Sequence, residues 1–583
     1  MFKGHPKGLY ALALANTGER FGYYTMLAVF ALFLRENFGL AAGTAGAIYS
    51  TFLGLVYFMP LVGGVLADKF GFGKMVTIGI TIMFAGYMLL SFPLGGDTIA
   101  MIAMMAALVL ISLGTGLFKG NLQVMVGNLY DDPKYASKRD SGFSIFYMAI
   151  NVGSLFAPTT AVGIKLWAQN SLGFTSNDAY HFAFAVACVA LILSILIYYI
   201  FRSTFRHVEG GKKKGEAEVI VDNLTPQETK QRVIALCLVF AVVIFFWMAF
   251  HQNGLTLTYF ADEFTETQAI GLQSMVFDVW NLALIIVAVY ASFSIFQSET
   301  AKGKVVSGMI ATAILAFLVY RASYIGDNTI VNVSAPIFQQ FNPFYVVALT
   351  PVSMAIFGAL AKSGKEPSAP RKIAYGMMVA AVGFAIMAIG SRGLNTPNEQ
   401  ARAIAVSNAE KIATNIYAAS GNEADMKVAE KAKADFEGKL TEENKEIFNQ
   451  VYDAKLAVLS AADETAVVSA TETLNAIKSE TKNETRTSAF WLIFTYLVLT
   501  FAELLLSPMG ISFVSKVAPP KLKGLMMGGW FVATAIGNML VAVGGFLWAG
   551  LPLWSVWTVF IVLCLLSALF MFVMMKRLES VTK

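Results

Sequence analysis

Charge is scarce in this sequence. Of its 583 residues only 14% are Asp, Glu, Lys or Arg, where a soluble protein carries about 25%, and that excludes a water-soluble fold of this length. The three cysteines, Cys188, Cys237 and Cys564, all sit in apolar runs and cannot make a disulfide framework. No His/Cys metal spacing, no phosphate-cradling Gly-Lys-Ser/Thr loop and no Gly-x-Ser-x-Gly elbow occurs, so the sequence points to neither an enzyme nor an ATP-driven pump. The net charge of +5 suggests no nucleic-acid partner, because basic residues of a membrane protein sort by side. What the chain has instead is 56% hydrophobic residues, with 46 Phe, 26 Met and 48 Gly and a mean hydropathy of +0.62. Its solvent is mostly lipid.

Crossing ~30 Å of hydrocarbon takes about 20 mostly apolar residues. Runs of that kind lie near 9–34, 43–66, 75–94, 99–128, 141–164, 181–201, 233–261, 273–296, 305–324, 337–361, 373–391, 489–513, 524–549 and 552–575, which predicts fourteen transmembrane helices and an all-α, multi-pass membrane protein. The first run holds Glu19 and Arg20 near its middle, and no small-residue cleavage site follows a short apolar core, so a retained span is expected there rather than a cleaved leader. More than half of the basic residues fall in one set of alternate connections. Among them are Lys3, Lys7, Lys69, Lys74, Lys134, Lys138, Arg139, the Lys212–Lys214 cluster, Lys302, Lys304, Lys516, Lys521 and Lys583. This side is expected to be cytoplasmic, with both termini on it.

Residues 395–487 break the pattern, holding 16 acidic and 11 basic residues. Stretches 401–418, 424–440 and 441–459 are rich in helix formers, and apolar residues such as Ile447, Val451, Leu456 and Leu459 recur at helical spacing. A small helical extramembrane lobe on the non-cytoplasmic face, bounded at 392–487, is predicted. It is either a passive spacer or a surface for docking a partner.

An ionisable group in the hydrocarbon is expensive enough to mark function. Glu19, Arg20, Lys119, His251 and Glu503 lie deep in apolar runs. Asp278, at a helix end, reads as structural. Opposed charges in one cavity would suit a zwitterion.

Around these residues the chain resembles a known family. Asn16-Thr-Gly-Glu19-Arg20-Phe-Gly-Tyr23-Tyr24, Gly114-Thr-Gly-Leu-Phe-Lys119-Gly-Asn121 and Phe143-Ser-Ile-Phe-Tyr147-Met-Ala-Ile-Asn151-Val-Gly153-Ser154 stand in the first half, with Gly64-Val-Leu-Ala-Asp68-Lys69-Phe-Gly71 between two spans. In the second half stand Phe246-Trp247-Met-Ala-Phe-His251-Gln252, Gln340-Phe-Asn342-Pro343, Phe501-Ala-Glu503-Leu-Leu-Leu-Ser507-Pro508 and Pro519-Pro-Lys-Leu-Lys-Gly524-Leu-Met-Met-Gly-Gly-Trp530. Together these strings resemble the proton-dependent oligopeptide transporter family of the major facilitator superfamily.

The resemblance implies the major facilitator fold: a six-helix bundle over 1–201, a cytoplasmic linker at 202–232, and a second bundle from 233–391 and 488–583. An extra hairpin at 273–324 is expected to pack outside the bundles. It implies a multi-pass protein of the bacterial inner membrane, acting as a monomer, with protons as coupling ion and no cofactor. By its motifs, Arg20 and Lys119 would attract a peptide carboxylate and Glu503 would receive the amino group. Asn151 and Asn342 would hydrogen-bond the peptide, Tyr24, Tyr57, Trp247 and Trp530 would line side-chain pockets, and Ser507 would join them in binding the substrate. Proton coupling would fall to Glu19, Arg20, Lys119, His251 and Glu503.

The departures are specific. Asn16 stands where the family has its first Glu. Leu27 and His251 replace both members of an Arg/acid ion pair together, which leaves no buried charge uncompensated. His251, able to titrate between pH 5 and 8, is expected to take over part of the coupling. Import of di- and tripeptides with protons is the reading these residues imply. The alternatives are a proton-coupled transporter of nitrate or another metabolite, and a scaffold acting through the lobe.

Overall fold

Inside a bilayer every backbone N–H and C=O needs an internal partner, and the helix provides one within its own segment. The computed structural model, which describes residues 4–210 and 224–581, accordingly consists almost entirely of helices. The first six are α1 (Lys7–Phe38), α2 (Ala42–Phe70), α3 (Phe72–Leu90), α4 (Thr98–Asn128), α5 (Arg139–Leu172) and α6 (Ser176–Ile200). They form one bundle, α1 against α5 and α6, and α4 against α2 and α3. After a linker come α7 (Pro226–Phe250), α8 (Thr256–Glu263), the short α9 (Ser274–Phe277), α10 (Val279–Gln297), α11 (Ala301–Tyr324), α12 (Phe341–Lys362) and α13 (Ala369–Gly390). Four helices follow outside the bundles: α14 (Pro397–Ala418), α15 (Glu423–Glu437), α16 (Glu442–Ser460) and α17 (Glu464–Ser479). The chain ends with α18 (Phe490–Val517), α19 (Lys523–Met539), α20 (Ala542–Gly550), α21 (Leu553–Val573) and α22 (Met575–Ser580).

Among the described residues, thirteen segments are long and apolar enough to cross a membrane, counting α7 with α8 and α19 with α20 as one each. The 32-residue α1 is charged near its middle, but at about 1.5 Å per residue it exceeds the hydrocarbon thickness. It completes the expected fourteen. The second bundle packs α13 against α18 and α21, and α7 against α19 and α21. The two bundles meet where α2 runs along α19 and α20 and where α5 meets α12.

The run read as one span over 233–261 is broken. A 3-10 turn at His251–Gly254 separates α7 from α8, and α19 and α20 break opposite it. Gln252 Nε2 donates to Met248 O on its own helix and to Val541 O at the facing break, both at 3.1 Å, while Gln252 Oε1 accepts from Thr256 Oγ1 at 2.8 Å. One buried amide satisfies carbonyls that both interrupted helices leave open.

The extra pair α10/α11 packs beside α12 and α5, and α11 buries only Ala311. Asp278 caps α10 by accepting from Trp280 N, and Arg321 of α11 donates to it at 3.0 Å, as its helix-end position suggested. Strand β1 (Gln268–Ile270) precedes the pair and β2 (Ile330–Asn332) follows it, and the two join antiparallel.

The lobe helices α14–α17 have their own core, built on Ala405, Ala409, Phe448 and Val451. Thr396 and Glu399 close a capping box at the start of α14. On the opposite face, Glu209 of the linker accepts through its carboxylate from Arg202 and Tyr198 and through its carbonyl from Gly73 N. Linker residues 211–223, with Lys212, Lys213 and Lys214, lie outside the described residues, as do Lys3 and Lys583.

Candidate functional site

The ionisable side chains within the bundles differ in what they are paired with. Glu19 and Arg20, adjacent on α1 and both buried, pair with each other. Arg20 Nε donates to Glu19 Oε2 at 2.5 Å, and a second guanidinium nitrogen donates to Oε1. The guanidinium also covers the Tyr23 ring, 4.5 Å from its centroid. This cation is compensated within its own helix.

Lys119 on α4 makes no ion pair among the described residues. Its ammonium stands 4.4 Å from the centroid of Tyr57 on α2, a cation–π contact. Tyr57 meets His251 edge-on at 6.1 Å, and His251 stacks on Trp247 at 5.1 Å. Lys119, Tyr57, His251 and Trp247 thus form a file from the first bundle into the second. Trp247 Nε1 is buried without a hydrogen-bond partner among the described residues. Leu27 is an ordinary core residue.

Glu503 on α18 likewise makes no ion pair. Asn342 Nδ2 donates to Glu503 Oε2 at 3.0 Å and to Thr500 Oγ1 at 3.0 Å. Ser507 follows one helical turn later on the same face, just before the proline inside α18. Tyr24, Tyr57 and Tyr147 of the first bundle all lie within electrostatic reach of Glu503. Tyr24 also packs edge-on against Tyr23 at 5.2 Å. Asn151, one turn after Tyr147, donates through Nδ2 to the Tyr147 carbonyl at 3.0 Å.

Trp530 is 3% exposed and lies against Gly510 of α18, the helix of Glu503, where an added Cβ would enter its indole ring. The absence of a side chain at Gly510 makes room for it. Tyr147, read only as part of a motif, is 46% exposed amid the bundles and joins the site. Its signal was available: it lies one turn before Asn151 on the same face.

The lobe-side end of the site is shut by contacts between bundles. Arg35, at the end of α1, pairs with Glu263, at the end of α8, and covers the Tyr259 ring at 4.6 Å. Trp548 Nε1 donates to Glu263 Oε2 at 3.2 Å. Gln339 Nε2 donates to Ala28 O at 3.0 Å, and Thr159 Oγ1 donates to Gln340 Oε1 at 2.9 Å. Neither residue stands out in the sequence, where both lie at the edges of apolar runs.

Two helical bundles enclosing unpaired charges of opposite sign, closed at one face, define a multi-pass membrane protein of the major facilitator architecture. The family model described as POT family matches residues 73–225, 316–406 and 456–545, and the chain belongs to that family. It is 32% identical over 414 residues to the uncharacterized transporter YclF of Bacillus subtilis, covering 66% of this chain and 74% of that protein. It is 26% identical over 615 residues to the peptide transporter YePEPT of Yersinia enterocolitica, covering 100% and 97%. A solved mutant of a peptide transporter POT in complex with alafosfalin shares the fold, with a TM-score of 0.64 at 21% identity over 100% of this chain and 97% of that one.

Proposed function

We propose that this protein is a proton-coupled symporter that imports di- and tripeptides by alternating access, with the termini in the cytoplasm of a bacterial inner membrane. The observation that carries the reading is the pair of uncompensated charges, Lys119 in one bundle and Glu503 in the other. A buried charge without a counter-ion is costly, and a ligand carrying a carboxylate at one end and an ammonium at the other supplies both counter-ions at once. The tyrosines around Glu503 and the His251–Trp247 stack provide apolar walls, whose non-directional burial suits varied side chains.

Protons enter through the pairs that substrate must displace. Protonating Glu19 removes the acceptor that occupies Arg20 and frees that guanidinium for the substrate carboxylate beside Lys119. His251, stacked on Trp247 and edge-on to the tyrosine that carries the Lys119 ammonium, is the second proton acceptor of this reading. A potential of ~100 mV contributes about 2.3 kcal/mol per net charge moved, enough to concentrate a solute roughly fiftyfold. The test is uptake of radiolabelled dialanine into proteoliposomes with the interior alkaline. Accumulation that collapses with a protonophore supports the reading, and nitrate uptake without dialanine uptake would sink it.

A further inference from the structure

Arg35 and Glu36 are consecutive at the end of α1 and hold two different parts of the molecule. Arg35 reaches the second bundle through Glu263, while Glu36 reaches the lobe through Lys439 Nζ at 3.2 Å. Lys165 of α5 adds a longer contact to Glu36 at 3.7 Å.

The lobe is fastened to the second bundle largely through backbone atoms. Gln400 Nε2 donates to Glu263 O at 2.8 Å. Thr487 N donates to Phe264 O at 2.8 Å, and Glu266 N donates to Thr487 O at 3.0 Å. Arg486 Nη1 donates to Thr265 O at 2.7 Å, and Asn398 Nδ2 donates to Ala549 O at 3.1 Å. The lobe therefore travels with the second bundle.

Its contacts with the first bundle are fewer and made by side chains. Lys431, Asp435 and Lys439 recur every four residues along and just beyond α15 and so share one face. Lys431 Nζ donates to Gly173 O at 2.7 Å, at the carbonyl end of α5. Ser176 N donates to Asp435 Oδ1 at 3.3 Å, at the amide end of α6. Each charge thus meets the helix end of opposite partial charge. Glu36 raises the pKa of Lys439, which stays cationic through the neutral range.

We infer that Lys431, Asp435 and Lys439 are gate-positioning residues of the transport cycle: the lobe latches the ends of α1, α5 and α6 while the lobe-side face is closed and releases them when it opens. The inference rests on the alternating-access reading, in which the bundles rock apart at one face and then at the other. A body fixed to one bundle and touching the other across that face must separate from it on opening. Few reversible side-chain contacts suit such a latch, whereas a passive spacer would leave the first bundle untouched.

The test uses the full chain in lipid. Asn177 lies next to Gly438, its Nδ2 3.8 Å from where a Cβ on that glycine would stand, so Asn177→Cys with Gly438→Cys places one thiol on each side of the latch. The exposed Cys237 is changed to Ser in all variants. Cross-linking the pair is expected to cut dialanine uptake at least tenfold, with recovery on reduction. Uptake at the unlinked rate by quantitatively cross-linked protein would overturn the proposal. A second measurement needs no substrate: spin labels at Ala41→Cys and Gly550→Cys report the separation of the bundles at the lobe face. Changing Lys431, Asp435 and Lys439 together to Ala is expected to raise the long-distance population at least twofold, and an unchanged distribution would overturn the latch whatever solute the protein carries. If the labels respond but dialanine is not transported in any variant, the peptide reading fails and the latch stands.

Discussion

His251 lies against Trp247 with ring centroids 5.1 Å apart and planes 29° from parallel. The stack holds the imidazole at the 3-10 break between α7 and α8, with Tyr57 edge-on to it. A protonated ring there would repel Lys119, whose ammonium rests on the same tyrosine, so protonation and substrate anion binding are linked. His251→Gln keeps a polar side chain and removes the titration. The expected outcome is lost pH-driven accumulation with peptide exchange retained, checked by uptake and counterflow across pH 5 to 8. An unchanged pH midpoint would show that coupling lies with Glu19 and Glu503 alone.

Among the described residues, Glu503 offers a carboxylate with a single side-chain donor, Asn342. A hydrogen bond to a charged group is worth about 1.5–3 kcal/mol, so Glu503→Gln is expected to raise the KM for dialanine roughly tenfold to a hundredfold. N-acetyl-dialanine, which has no ammonium to bind, serves as the comparison. Its uptake should be poor in the wild type and little changed by the substitution. Equal losses for both peptides would place Glu503 in proton movement rather than amine recognition.

Gly510 and Trp530 make a prediction about stability. A methyl at residue 510 would enter the indole ring, and overpacking of this kind costs about 1–3 kcal/mol. Gly510→Ala should lower the melting temperature of the detergent-solubilised protein by several degrees, read by intrinsic fluorescence. Trp530→Phe, which shortens the ring, should restore part of the loss in the double variant.

The lobe core can be tested by itself. Phe448 is fully buried, with Phe436 at 5.5 Å and Tyr452 at 6.0 Å. Removing a buried aromatic costs about 3–5 kcal/mol, a large share of what a four-helix lobe can supply. Phe448→Ala should expose 397–479 to limited proteolysis while the membrane helices stay protected, as gel analysis of the digest would show.

What the sequence revealed and what it hid follow the physics of each signal. Lys119 and Glu503 stood out because few other side chains make the hydrocarbon so costly, and the lobe helices because their apolar residues keep a helical period. The break at His251–Gly254 was hidden because hydropathy averages over it, although Gln252-Asn253-Gly254 is a polar, glycine-ended interruption of the run. The Arg35–Glu263 pair joins residues 228 apart in sequence, and two lone charges at span edges do not announce each other. That Arg20 is spoken for by Glu19, its chain neighbour, is a matter of rotamers that the sequence does not carry. The docking face of α15 did have a pattern, charges at 431, 435 and 439, but surface charges at that spacing are common on solvated helices.

The pairing of β1 with β2 sets how the chain tolerates its extra spans. Val333 N donates to Thr267 O at 2.7 Å, and Gly271 N donates to Thr329 O at 2.8 Å, so the backbone leaves the second bundle and rejoins it at one spot. Whatever lies between is a closed detour. Because the detour crosses the bilayer twice, every helix after it keeps its direction, and the faces of α12 and α18 that carry Asn342 and Glu503 are left as they would be without it. The pair can lengthen, shrink or vanish in sequence without turning the transport core inside out.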